Sequence, residues 1–67
     1  MKKFVNTLRI DCDGLSQKSI AELADELTMY FCEVDVLGDT IHASEPASQN
    51  LYEQAWLIFD RLDLKVT

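Results

Sequence analysis

Val34-Asp35-Val36-Leu37-Gly38-Asp39-Thr40-Ile41-His42-Ala43 is the stretch that decides how the chain folds back on itself. Gly38-Asp39 reads as a two-residue hairpin loop with glycine first, the order a type II′ turn requires because its first central residue takes a positive φ. Folding there sets Leu37 opposite Thr40, Val36 opposite Ile41, Asp35 opposite His42 and Val34 opposite Ala43. The register is self-consistent: Val34, Val36, Ile41 and Ala43 share one face, and Asp35 and His42 meet on the other. An apolar hairpin face must be covered, so the flanking segments are read for elements that can cover it.

Upstream, Phe4, Asn6, Leu8, Ile10 and Cys12 alternate with Val5, Thr7, Arg9 and Asp11, the period of a half-buried strand. Asp13-Gly14 breaks it. Ser16 is a good N-cap, with Leu15 and Ile20 placed as a hydrophobic staple. Ile20, Leu23, Ala24, Leu27, Tyr30 and Phe31 recur at helical spacing, which predicts a helix over about 17–31. Downstream, Ser44-Glu45-Pro46 predicts the opening of a second helix with proline in its first turn. Its expected core stripe is Ala47, Leu51, Ala55, Ile58 and Leu62. Residues 62–67 alternate like a short last strand. The expectation is one α+β domain over residues 1–67, a two-layer sandwich with two helices on one face of an antiparallel sheet. The order is βαββα, and with the last strand formed it is that of a ferredoxin-like sandwich.

Sixty-seven residues hold one domain, and a chain this short buries only about 60% of its unfolded surface. Association is one way to add burial. The net charge of −6 is unevenly spread: between residues 10 and 60, eleven acids face the single base Lys18. Such a body repels phosphate backbones, so direct nucleic-acid binding is not expected, whereas a basic protein surface would be attracted. No apolar run approaches the roughly 20 residues of a membrane span. Lys2 and Lys3 resemble a signal-peptide start, but Asn6, Thr7, Arg9 and Asp11 interrupt the apolar run, and a cytoplasmic location is expected. Cys12 and Cys32 then read as reduced thiols at opposite ends of the sheet.

Catalysis needs a nucleophile, base or metal with an orienting partner. The chain carries no P-loop, GxGxxG, HExxH or GxSxG pattern. Asp35 opposite His42 is the best pair, and it reads as an ordinary cross-strand contact on an open sheet face. Cys32, Glu33 and Asp35 near His42 straddle both faces of one strand, a poor start for a metal site. We expect no enzyme activity, no cofactor and no resident metal.

Two surfaces are expected to carry contact with a partner. One is the acidic side of the first helix: Glu22, Asp25 and Glu26. The other lies on the second helix, where Ala55-Trp56-Leu57-Ile58-Phe59 is more apolar than a two-layer fold requires. There Tyr52, Trp56 and Phe59 would form an aromatic ridge beside Leu57, with Glu53 near it, as an anchor for a homodimer or another protein.

The element order, the Ile20-x-x-Leu23-Ala24-x-Glu26-Leu27 stretch and a final helix with Glu53 and Trp56 together resemble the DinI-like proteins over roughly residues 1–62. These are small acidic bacterial and phage regulators of a recombinase filament. The resemblance implies that acids of the last helix touch the filament, with Glu53, Asp60 and Asp63 as the corresponding residues here. From the acidity of the chain, the expected function is a regulatory or inhibitory protein-binding module that docks on a basic, nucleic-acid-binding protein surface, by analogy with small phage or mobile-element inhibitors. The alternative is a small-molecule or metal-binding sensor of ferredoxin-like type.

Overall fold

The computed structural model describes residues 5–67; Phe4, expected to open the first strand, lies outside them. The elements are β1 (Thr7–Asp11), α1 (Gln17–Leu27), β2 (Phe31–Leu37), β3 (Thr40–Pro46), α2 (Gln49–Arg61) and β4 (Lys65–Val66). The strands form one antiparallel sheet in the order β2-β3-β1-β4. β1 and β2 therefore run parallel with β3 between them, as the ferredoxin-like order demands.

Local chemistry accounts for most of the connections. Gly14 at φ 97 occupies the third position of a turn closed by the Leu15 N–H on the Cys12 carbonyl at 3.0 Å, where a positive φ is needed. Ser16 caps α1, its Oγ accepting from the Ser19 N–H at 3.1 Å. The hairpin has the expected register, Leu37 opposite Thr40 through Val34 opposite Ala43. Gly38 sits at φ 61 and Asp39 stays out of the positive region, as in a type II′ turn. α2 ends in a Schellman motif: the Leu64 N–H reaches the Phe59 carbonyl at 3.0 Å and the Asp63 N–H reaches the Asp60 carbonyl at 3.2 Å. Asp63, at φ 57, takes the left-handed position usually given to glycine. This reversal lays β4 against β1, with Ile10 opposite Val66 and Asp11 opposite Lys65.

Several boundaries and one helix face differ from the expectation: β1 leaves Val5, Asn6 and Cys12 outside the strand, and the last strand is confined to Lys65–Val66 within the expected 62–67. α1 ends at Leu27 instead of running to residue 31. The Thr28 Oγ1 donates to the Asp25 carbonyl at 2.6 Å, and the Thr28, Met29 and Tyr30 amides tighten onto the carbonyls of Asp25, Glu26 and Leu27. This i→i−3 turn ends the helix. Phe31 is buried as the first residue of β2, not as the end of the helical stripe.

Ser44-Glu45-Pro46 does not open α2 but finishes β3, with Pro46 opposite Phe31. The helix begins at Gln49, capped by Ser48, whose Oγ accepts from the Leu51 N–H at 3.1 Å. Glu45 at φ 57 falls in the register between the Phe31–Pro46 and Glu33–Ser44 pairs, opposite Cys32. The in-out alternation of β2 breaks there: Phe31 is buried, whereas Cys32 and Glu33 are both exposed.

The core stripe of α2 is Tyr52, Ala55, Ile58 and Phe59. Ala47 is exposed outside the helix, Leu51 is half-buried and Leu62 is 47% exposed. At about 100° per residue the helix is turned by roughly 40° from the expected stripe. The turn puts the rings of Tyr52 and Phe59, both 0% exposed, in the core in place of two leucines. Aromatic side chains bury more area than leucine, so this rotation removes more apolar surface from water.

The rest of the core is Leu8, Ile10, Cys12, Ile20, Leu23, Ala24, Leu27, Phe31, Ile41 and Ala43. Its strand residues in β1 and β3 all lie on the face that both helices cover, and the opposite sheet face is open. No helix among the described residues is long and apolar enough to cross a membrane.

The rotated stripe has a direct consequence. Tyr52→Ala and Phe59→Ala should each cost about 3–5 kcal/mol in urea unfolding, and Leu62→Ala less than about 1 kcal/mol. Equal losses at Leu62 and Phe59 would restore the leucine stripe.

Candidate functional site: an acidic helix beside an open sheet

The buried residues of α1, Ile20, Leu23, Ala24 and Leu27, occupy one side of the helix. At about 100° per residue, Glu22, Asp25 and Glu26 lie at the opposite pole. All three are exposed. Their arrangement works against the helix. Glu22 stands i,i+3 from Asp25 and i,i+4 from Glu26, both repulsive like-charge spacings. Asp25 and Glu26 also sit in the last turn, which carries no base and where the helix dipole favours cations. Lys18, one turn before Glu22, is the only base in the helix.

α1 lies against β2. The open face of the sheet beyond it is ordered by the two registers. Asp35 is opposite His42 as expected, and His42 is in turn opposite Arg9. An acid, an imidazole and a guanidinium thus form one row across three strands. The neighbouring rows are Glu33–Ser44–Thr7 and Leu37–Thr40–Asp11–Lys65. His42 is half-buried, while Asp35 and Arg9 are exposed. Arg9 escapes sequence reasoning because its place beside His42 depends on the long-range β1–β3 pairing. The row is a flat, wet surface, which can bind a side chain but does not exclude water from a reacting group.

A shallow cleft of about 160 Å³ lies at the other end of the sheet, lined by Asp11, Asp13, Asp63, Leu64 and Lys65. The Asp11 carboxylate there accepts from the Asp13 N–H at 3.1 Å. Among the described residues, no group of three or more His, Cys, Asp or Glu side chains could hold a metal ion.

The aromatic residues expected as a partner surface divide. Tyr52 and Phe59 are sealed in the core and offer no contact area. Trp56 is half-buried between them, edge-on to both rings at centroid distances of 6.4 and 5.6 Å. Glu53 is half-buried and accepts from the Gln49 side chain at 2.9 Å. Leu57 alone of the four apolar residues is well exposed, at 66%, on a side of α2 it shares with Asn50, Glu53 and Arg61. Of the acids that the DinI-like resemblance brings forward, Asp60 and Asp63 are exposed.

The two cysteines are free: Cys12 is buried just past the end of β1, and Cys32 is exposed near the start of β2. Because β1 and β2 are parallel, the two thiols sit at opposite ends of the sheet. Burial first, then the charges of Asp11 and Asp39, push the Cys12 thiol above its ordinary range. A thiol reagent on the native protein should therefore modify Cys32 at least about a hundredfold faster than Cys12, which should react only on unfolding. Similar rates at both positions would contradict this placement.

Compared with known proteins, the chain matches no family model, no curated sequence and no solved structure.

Proposed function

We propose that this chain is a small non-enzymatic regulatory or inhibitory module that docks the acidic side of α1 on a basic surface of another protein, of the kind that otherwise holds nucleic acid. The observation that carries this reading is the cost of the charge placement. Three like charges at i, i+3 and i+4 spacing, two of them at the wrong end of the helix dipole, weaken α1. Solubility alone would be served as well by acids in the first turn, where none stands. A basic partner surface relieves both penalties on contact and favours fast, oriented association. A cytoplasmic location goes with this reading, as does a recombinase-type filament as one instance of such a partner, following the DinI-like resemblance.

The test uses the intact chain immobilised in extracts of its native host. A partner should be retained at about 0.1 M salt and released at about 1 M, where the screening length falls from about 10 Å to about 3 Å. The triple variant Glu22→Lys, Asp25→Lys, Glu26→Lys should retain none of it, while Leu57→Ala should retain it fully. Retention that survives the charge reversals, or that is lost with Leu57→Ala alone, would refute the electrostatic docking. The neutral variants Asp25→Asn and Glu26→Gln should raise the thermal midpoint of the free protein while weakening capture. A lower midpoint would mean that these acids serve the fold.

A further inference from the structure

The sheet ends in two unequal edges. β4 is two residues long, whereas β2 presents seven, Phe31–Leu37, at the other edge. Two hydrogen bonds of the ladder reveal which backbone groups of β2 are left over. The Cys12 N–H donates to the Asp39 carbonyl at 2.7 Å and the Glu45 N–H to the Asn6 carbonyl at 2.8 Å. Odd-numbered residues of β3 therefore turn their backbone groups to β1, and even-numbered ones turn theirs to β2. Thr40, His42 and Ser44 are opposite Leu37, Asp35 and Glu33. By the same alternation the amides and carbonyls of Val34 and Val36 point away from the sheet, whereas the alternation lapses at Cys32, where the Ala47 N–H reaches the Tyr30 carbonyl at 2.9 Å.

Natural edges are blunted by lysine, proline, bulges or cover. β2 has neither lysine nor proline, and its irregularity is confined to the Cys32–Glu33 end. What it has is charge of one sign: Glu33 and Asp35, with Asp39 in the loop beyond, and no base from Phe31 to Thr40. A second copy pairing antiparallel on this edge, centred on residue 33, 34 or 35, places acid opposite acid every time, which is destabilising. The same pattern suits a foreign strand of the opposite sign. Its basic residues would stand opposite Glu33 and Asp35 on the open face. Its alternate apolar residues would stand opposite Val34 and Val36, covering Val36, which is 43% exposed, and extending the core layer.

We propose that the β2 edge takes up an extended segment of the partner in which lysine or arginine alternates with apolar residues, as an added antiparallel strand. This deepens the docking reading and rests on it, because α1, which carries the docking acids, lies against β2. The added strand supplies main-chain hydrogen bonds and register, and the helix supplies long-range attraction.

A seven-residue peptide alternating lysine and valine, matched to the length of β2, is the probe. Amide hydrogen exchange is followed by NMR on the full chain with and without it. Exchange at Val34 and Val36 should slow at least about tenfold. A peptide of the same sequence with alternate backbone nitrogens methylated should produce no slowing. Glu33→Lys with Asp35→Lys, both at exposed positions, should abolish the effect and transfer it to a peptide alternating glutamate and valine. A peptide that perturbs Glu22, Asp25 and Glu26 but leaves Val34 and Val36 unprotected would overturn strand addition and leave the helix-docking reading standing. Slowing at Val34 and Val36 that grows with protein concentration alone would overturn it in favour of a second copy. Absence of any interaction with the peptide would also overturn it.

Discussion

Gly38 at φ 61 turns the chain through a two-residue loop, and the faces of the sheet are settled from there. With Leu37 set opposite Thr40, each later pair in β2 and β3 follows, and a slip of one residue would send Val34, Val36, Ile41 and Ala43 to the wrong side. The loop also anchors β1, because the Asp39 carbonyl receives the Cys12 N–H just past its end. The helices cover the face on which Leu8, Ile10, Ile41 and Ala43 stand, and the remaining face keeps Thr7, Arg9, Asp11, Glu33 and Asp35 in water. An added Cβ at Gly38 would meet nothing within 4 Å, so the demand at this position is purely one of backbone conformation.

The same register separates the molecule's chemistry into regions. The apolar face of β1 and β3 is closed by the helices, with Tyr52 and Phe59 completing the core from α2. Asp11, Asp13 and Asp63 line the cleft at the β1–β4 end, and five further acids stand on the outer pole of α1 and along β2, which lie against each other. Arg9 and Lys65 stay on β1 and β4, away from that edge. Within the net charge of −6, Glu33 and Asp35 stand exposed on the edge strand that is open to a further strand.

Much of this was legible in the residues because it depends on short-range rules. The alternation of β1, the Ser16 cap and the Gly38-Asp39 turn each involve only neighbours, and the sheet order follows once they are in place. The places that differ are those where two local rules compete. Tyr30 and Phe31 fit the helical stripe as well as a strand, and the Thr28 turn settles the matter. Pro46 suits a first helical turn and a strand end equally, and Ser48 is the better cap. On α2, two apolar stripes lie side by side, and only packing against the sheet selects the one with Tyr52 and Phe59. The acids of α1 were visible as a helix face. The row from Asp35 through His42 to Arg9 and the open backbone of β2 were not, since both rest on pairings between residues far apart in the chain.

The dependence of the fold on the Gly38 turn can be measured by chemical synthesis of the 67-residue chain with alanine of either hand in place of Gly38. L-Alanine resists a positive φ by about 1–2 kcal/mol, whereas D-alanine prefers it. Urea unfolding should find the D-alanine chain at least as stable as the glycine chain and the L-alanine chain less stable by about that amount. An L-alanine chain equal to or more stable than its D-alanine counterpart would contradict the account at its base, because the hairpin could not then be built on a left-handed residue 38.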